Sequence, residues 1–531
     1  MISNKEIAAI FNLTGEVLTL LDENPFKVRS YFAAAQSIKN YPVPLATLSE
    51  DEILKIKGIG KNLLPKVMEI IRTGDLEFLH RKAEKIPDGI LELLQIKGLG
   101  PKKVKQLWQE LGITSPGELL YACYENRLVD LKGFGQKTQE KIQKTLEFYF
   151  QNKHKFHYPA AFEYALEIIN FLKTKYNLEQ IEITGVLRRK CETVKHIDLL
   201  VCSEQEVIIE NLDFSPIPVN LHYSPPEQKA FRQLITTGSQ QHLEKLHLKG
   251  FEFAETEEEI YAKNHLPYIP PELRENLFEW ELTKNQHPIN LIEEKDIKGL
   301  VHCHTVWSDG TNTIEEMALA ARDKGMEYVV ITDHSKSAFY ANGLSEERII
   351  QQQKEIKRLN DKNLGIQILS GIEADILPDG SLDYDHNVLQ SFDVVIASVH
   401  SVLHMDKHKA TGRILKAIEN PHVHIIGHIS GRLLLSRLGY ELDYDKIFDA
   451  CIQNNVILEI NANPMRLDID WKQAGKAREK GVKFSINPDA HNAEGINHIQ
   501  YGVNTARKAG ITPDNVVNCL SADEFKNAIK K

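Results

Sequence analysis

Val301-His302-Cys303-His304-Thr305-Val306-Trp307-Ser308-Asp309-Gly310 ends a short apolar run in a cluster of metal-ligand residue types, and the same ending recurs downstream. Further apolar runs close in Ile331-Thr332-Asp333-His334, Gly371-Ile372-Glu373, Ala397-Ser398-Val399-His400, Ile426-Gly427-His428, Glu459-Ile460-Asn461 and Asn487-Pro488-Asp489-Ala490-His491. The ends lie about 30 residues apart, room for one strand and one helix. Residues 313–325 show such a helix, with apolar residues at helical spacing and a terminal glycine. Seven parallel strands wrapped by helices predict a barrel whose site lies at the C-terminal strand ends. A single histidine there would be read as a hydrogen-bonded core or surface residue. A barrel mouth filled with imidazoles and carboxylates, however, would suffer desolvation and charge repulsion unless cations neutralised it, so the pattern predicts a multinuclear metal site.

The motif at 302–310 resembles the signature of the PHP superfamily, named for its polymerase and histidinol phosphatase members. All nine metal-ligand positions of that family are filled, by His302, His304, Asp309, His334, Glu373, His400, His428, Asp489 and His491. The resemblance implies that His302, His304, Glu373 and Asp489 hold one ion, and that Glu373 bridges to a second shared with His400 and His428. Asp309, His334 and His491 would take a third. Mixed imidazole and carboxylate ligation suits Mn²⁺ or Zn²⁺ better than Mg²⁺. Leu300 replaces an aspartate common in relatives but falls at no ligand position. Arg432 and Arg466 resemble family residues placed to meet substrate phosphate. His404, His408, His422, His424 and His498 have no such match and are expected at the surface.

The chain of 531 residues carries a formal charge of −10, which alone argues against a nucleic-acid partner. The average hides a division: residues 1–150 hold 21 Lys+Arg against 19 Asp+Glu, a net +2, which leaves −12 for the rest. Twelve of the 21 histidines follow residue 300. A composition of 42% hydrophobic and 26% charged residues excludes a disordered or collagen-like chain and predicts several domains. Six cysteines without a CxxC pair argue against a disulfide framework or thiolate zinc site and point to a reducing cytoplasm. The chain start lacks a basic region followed by an apolar run, and no stretch approaches about 18 uninterrupted apolar residues, so neither export nor a membrane partner is expected.

Within the first 150 residues, Ile56-Lys57-Gly58-Ile59-Gly60-Lys61 recurs as Ile96-Lys97-Gly98-Leu99-Gly100-Pro101 and as Leu131-Lys132-Gly133-Phe134-Gly135-Gln136. Two glycines around an apolar residue make a tight turn with exposed N–H groups, and the helix that follows adds the positive end of its dipole. Such a turn grips phosphate without reading bases, which assigns DNA-backbone binding to Gly58, Gly60, Gly98, Gly100, Gly133 and Gly135. The repeats look like helix-hairpin-helix motifs, and with residues 24–31 the region is similar to the N-terminal domains of family X DNA polymerases. That resemblance puts Lys66 at the position of the family's lyase lysine, which forms a Schiff base with the sugar of an abasic site. Lys57 and Lys61 are the expected source of positive charge that would depress its pKa. The plainer reading of Lys66 is a phosphate-contacting or solvated lysine.

Residues 181–202 read as strand, turn and strand and resemble the palm signature of the same polymerases. There a Gly-Ser turn and two arginines hold the triphosphate, and two aspartates two residues apart bind magnesium. Here the serine is Val186, the arginines are Arg188 and Arg189, and the aspartate pair is reduced to His196 and Asp198. Asn220 falls where the third carboxylate belongs, with Asp213 a nearby acid that would have to restore a shifted site. Two-metal phosphoryl transfer needs several anionic oxygens, so no Mg²⁺ pair is expected in this palm and polymerase activity is expected to be lost.

The chain as a whole thus resembles the bacterial family X DNA polymerases with a C-terminal PHP domain. The expected fold is multidomain: a helical lyase-like domain at 1–82 with the first hairpin, a helical fingers-like domain at 83–152 with two more, a degenerate α+β palm and thumb at 153–290, and a distorted (β/α)7 PHP barrel at 297–531. The expected function is that of a monomeric DNA repair protein acting in base excision repair on gapped or damaged DNA with an accessible 3′ end. Its PHP domain would be the Mn²⁺- or Zn²⁺-dependent 3′–5′ exonuclease and 3′-end or abasic-site processing enzyme. Alternatives are an active gap-filling polymerase with PHP proofreading, and a small-molecule phosphatase of histidinol phosphatase type, for which three hairpins would have no use.

Overall fold

The computed structural model describes residues 2–124, 127–129, 131–203, 216–403 and 405–531. Asp213 and His404 lie outside them. The chain divides into two compact units, Met1–Lys153 and His154–Lys531.

The first unit is helical. Its opening helix Asn4–Leu20 starts in a capping box between Ser3 and Glu6, and buries Ile7, Phe11, Thr14 and Leu18 along one stripe. That stripe meets the next helix, Pro25–Lys39, where the Phe11 and Tyr31 rings lie 5.6 Å apart. The three hairpins share one backbone device. Gly58, Gly98 and Gly133 adopt φ of +93°, +92° and +88°, a left-handed conformation that costs a residue with a Cβ about 1–2 kcal/mol. Helices Leu64–Thr73, Pro101–Leu111 and Gly135–Asn152 follow the three turns.

In the second unit the helix Tyr158–Tyr176 covers a small sheet of β1 (Gln180–Ile183), β2 (Ile197–Cys202) and β3 (Val219–Ser224). Their order is β1-β2-β3, antiparallel then parallel. The expected strand, turn and strand over 181–202 hold, with the helical segment Gly185–Arg188 inside the turn. Gly185 is required there: it sits at φ +63°, and a Cβ would stand 2.2 Å from Asp198 Oδ2. A further apolar cluster over 234–291 encloses Arg274, whose guanidinium forks onto Glu257 at 2.9 Å on each arm.

The barrel contains β4 (Gly299–Cys303), β5 (Tyr328–Ile331), β6 (Gln367–Asp375), β7 (Val394–Ser398), β8 (Ile425–Ile426), β9 (Ile457–Asn461) and β10 (Phe484–Asn487). All are parallel, in the order β10-β9-β8-β7-β6-β5-β4. A bridge from Cys303 to Ala490, with His304 N–H donating to Ala490 O at 2.8 Å, nearly closes the ring at its C-terminal mouth. Strands covered on both faces are mostly apolar until they near the mouth, which is why they read as apolar runs with polar ends. The predicted helix at 313–325 is Ile314–Asp323, started by a capping box between Thr313 and Glu316. Among the described residues no helix is long and apolar enough to cross a membrane.

Candidate metal centre

Every strand of the barrel delivers polar side chains to the C-terminal mouth, and all nine expected ligands converge there. Glu373, at the centre, has Oε1 2.9 Å from His428 Nε2 and 3.3 Å from both His302 Nε2 and His400 Nε2. Its Oε2 lies 2.9 Å from His334 Nδ1 and 3.7 Å from His304 Nε2. Asp489 Oδ1 approaches His304 Nε2 at 3.2 Å and His302 Nε2 at 3.6 Å. Asp309 faces His491 at 3.4 Å, His334 at 3.7 Å and His304 at 3.8 Å.

Three groups could each hold an ion: His302, His304 and Asp489; His334, Glu373 and His400; and His304, Asp309, His334 and His491. The sets share more members than expected, because His304 and His334 each belong to two of them. The local backbone is shaped for the purpose. His302 and Asp489 take φ of +65° and +52°, strain of the kind that concentrates at functional sites. Gly310 closes the turn carrying Asp309, where a Cβ would stand 2.4 Å from His304 O.

Burial and neighbouring charge act on most of these groups in opposite directions. Burial lowers His302, yet Glu459, Glu373 and Asp489 together hold it well above the ordinary imidazole range. Burial likewise lowers His400 and His491, but Glu373 and Asp375 bring the first up to about 10, and Asp309 and Asp489 bring the second up to about 9. His304, buried and beside His334, is pushed down to about 3. Glu373 and Asp489 resist burial and stay well below the carboxylate range, held by the surrounding imidazoles. His302 Nε2 and both ring nitrogens of His304 are enclosed without a hydrogen bond of good geometry. Unsatisfied buried imidazole nitrogens facing carboxylates are the donor set that Mn²⁺ or Zn²⁺ takes, so the residues fit such ions.

A supporting layer escaped the sequence reading. Glu459, quoted there only as a strand end, is fully buried and accepts from His302 Nδ1 at 2.5 Å, from Asn487 Nδ2 at 2.9 Å, from the His428 N–H at 2.6 Å and from Asn461 Nδ2 at 3.1 Å. Asp375 bonds His400 Nδ1 at 2.8 Å. Each fixes a tautomer that leaves Nε2 facing the site. Buried Asp333 accepts from Thr305 N–H and Oγ1, both at 2.7 Å, and from Ser308 and Gln352, which pins the loop holding Asp309. A carboxylate within two residues of a strand end was the available signal.

Arg466 lies at the mouth, its Nε 3.9 Å from Asp489 Oδ2. Arg432, read as a second phosphate contact, is committed elsewhere: it donates to the Arg466 and Leu467 carbonyls and pairs with Glu192 at 2.5 Å. His424, expected at the surface, accepts the Val395 N–H at Nδ1, and burial pushes it down to about 4.

In the first unit Lys66 Nζ lies 5.1 Å from the Phe78 ring centroid, a position shared with Lys27 and Lys82. Its pKa is lowered by burial and then by Lys27, in place of the expected Lys57 and Lys61. A Cβ at Gly60, Gly98, Gly100, Gly133 or Gly135 would meet nothing within 4 Å, so these turns stand open.

In the small sheet, Asn220 lies near the start of the later strand β3 and pairs in register with Asp198. Both carboxylate oxygens are taken: Oδ1 by Asn220 Nδ2 at 3.0 Å and His222 at 3.2 Å, Oδ2 by His196 at 3.2 Å. Val186 stands at the turn beside them. Arg188 forks onto Glu257, and Arg189 pairs with Glu275 at 3.0 Å.

Residues 2–76 match a helix-hairpin-helix domain, 90–147 a SAM-like helix-hairpin-helix tandem and 301–463 a PHP domain. Over 99% of both chains the sequence is 36% identical to the DNA polymerase/3′-5′ exonuclease PolX of Bacillus subtilis (strain 168). Over 41% of this chain and 88% of the relative it is 32% identical to a probable phosphatase of Thermoanaerobacter sp. (strain X514). A probable phosphatase of Photobacterium profundum is 28% identical over 38% of this chain and 80% of its own.

Proposed function

The chain belongs to the family X DNA polymerases with a C-terminal PHP domain, and from that premise we propose that it is a DNA repair enzyme: a metal-dependent 3′–5′ exonuclease that also processes damaged 3′ ends and abasic sites, its DNA-directed polymerase activity lost. The observation that carries the reading is the convergence at the mouth of one barrel of eight ligand-type side chains in three groups that could hold ions, with His428 2.9 Å from Glu373 as a ninth, several with unsatisfied buried nitrogens. His302, His304, Glu373, Asp489, His334, His400, His428, Asp309 and His491 would hold three ions of Mn²⁺ or Zn²⁺. When bound, such ions supply Lewis-acid polarisation of a phosphodiester, an acidified water and stabilisation of the leaving 3′ oxygen. The chain's own part is to hold the imidazoles in the right tautomer through Glu459 and Asp375, to fix the Asp309 loop through Asp333, and to offer Arg466 to the phosphate.

The open glycine turns favour DNA over a small molecule as substrate, because backbone N–H groups at a helix start bind successive phosphates. Gapped or damaged DNA with a free 3′ end is the substrate form that a phosphate-gripping front half and a hydrolytic back half serve together. The protein works as a monomer in the cytoplasm, where its six free thiols persist. The small sheet supports the reading that polymerase activity is lost. Its one remaining carboxylate already serves three partners, and the paired guanidinium groups of Arg188 and Arg189 are engaged by glutamates. A 3′-labelled gapped duplex incubated with Mn²⁺ should be shortened by the full chain and left intact by the His302→Ala/His304→Ala double variant. Equal shortening by both, or cleavage confined to histidinol phosphate, would overturn the proposal.

A further inference from the structure

Glu192 belongs to the polymerase-like region, in the turn between β1 and β2, yet its side chain is spent on the barrel. Its carboxylate meets Arg432 Nη2 at 2.5 Å, across 240 residues of sequence. Arg432 extends from the loop that follows β8 and carries His428. From there Nε donates to Arg466 O at 3.0 Å and Nη2 to Leu467 O. The two loops are tied again by the Leu434 N–H to Met465 O at 2.7 Å and by the Ser430 N–H to Asp468 at 3.0 Å. Arg466 in turn directs its guanidinium to Asp489, 3.9 Å away, a candidate ligand of the metal centre. A continuous path therefore leads from Glu192 through Arg432 to the backbone of Arg466, and through that side chain to the site.

The contact is one part of a built junction within the second unit. Lys508, enclosed at 1% exposure, donates to Arg189 O at 2.9 Å and pairs with Glu275 at 2.8 Å. Arg507 pairs with Glu272 at 2.9 Å, and His157 bonds Leu434 O at 3.2 Å. Buried charges left unpaired are costly, so removing one partner of any of these pairs would leave the other uncompensated.

We infer that Glu192 is a positioning residue of the nuclease, acting through Arg432 to set the loop that aims Arg466 at the metal centre. The segment is thereby a mount for hydrolysis, which gives the polymerase-like region a part in the reaction of the barrel. The inference rests on the nuclease reading above. It is distinct from a role in stability, because the path ends on a side chain 3.9 Å from Asp489, a candidate metal ligand.

The test is a double-mutant cycle on the full chain, with single-turnover cleavage in saturating Mn²⁺ measured for wild type, Glu192→Ala, Arg466→Ala and the double variant. Glu192→Ala should slow cleavage about tenfold or more, as losing an outer support of a metal site does, with half-saturating DNA unchanged within about twofold. The double variant should be no slower than Arg466→Ala alone, because Glu192 acts through Arg466. Glu192→Gln, which keeps the shape and removes the charge, covers the case in which Glu192→Ala does not fold, and should show the same loss. Wild-type rates in both Glu192 variants, or losses that multiply in the double variant, would overturn the inference alone. A wild-type protein that cleaves nothing would overturn the nuclease reading and this inference with it.

Discussion

Replacing Glu459 by Gln probes the metal centre without touching a candidate ligand. The carboxylate accepts four hydrogen bonds, from His302 Nδ1 and Asn487 on one oxygen and from the His428 N–H and Asn461 on the other. An amide of the same shape can accept on one end only, so its NH₂ must face either the His302 Nδ1–H or the His428 N–H. That end gives up two bonds, and losing even the one from His302 or His428 to an ionised acceptor in a buried site costs about 1.5–3 kcal/mol. At about 1.4 kcal/mol per factor of ten, the site should bind Mn²⁺ roughly 10- to 100-fold more weakly. Calorimetric Mn²⁺ titration of the full chain gives the constant directly, and exonuclease activity should recover at higher Mn²⁺. An affinity within about twofold of wild type would refute the supporting role, because among the described residues no other carboxylate accepts from His302 Nδ1.

Gly98→Val should weaken binding of duplex DNA and lower the salt slope by about one, since a Cβ at φ +92° distorts a turn whose amides, on the proposed reading, meet phosphate; a gel-shift salt series that superposes on wild type would count against the hairpin. Lys66→Ala should abolish borohydride trapping on abasic DNA, and Lys27→Ala should move the pH midpoint of trapping upward, because burial and then Lys27 depress Lys66; unchanged trapping in Lys66→Ala would remove the lyase assignment. Glu257 is pushed up by burial but held at about 2 by Arg274 and Arg188. A depressed carboxylate contributes stability that is complete above its unfolded value of 4.5 and is lost as pH falls to about 2, here about 3 kcal/mol. Thermal melts of Glu257→Gln should therefore start lower than wild type at pH 7 and fall less between pH 5 and 2.5.

The barrel was legible because each strand ends in residues that an apolar interior would not tolerate without a purpose, so strand ends and ligands announce one another. All nine expected ligands meet in the mouth for that reason. What the sequence leaves out are partners chosen by proximity in space. Glu459 finds His302 across 157 residues, and Glu192 finds Arg432 across 240. No spacing rule connects them. Lys66 shows the same limit: its pKa is set by burial and Lys27, whereas neighbours along the chain suggested Lys57 and Lys61. In the small sheet the loss of carboxylates at His196 and Asn220 was legible, but the capture of Asp198 by Asn220 and His222 was not, since both need the parallel register of β2 with β3.

The central proposal is that hydrolysis has outlived synthesis in this chain. Its most direct test is the length of a 3′-recessed strand in a gapped duplex after incubation with the full chain, Mn²⁺ and all four dNTPs. Progressive shortening that dNTPs neither prevent nor reverse is the expected result. Template-directed lengthening of the same strand would contradict it.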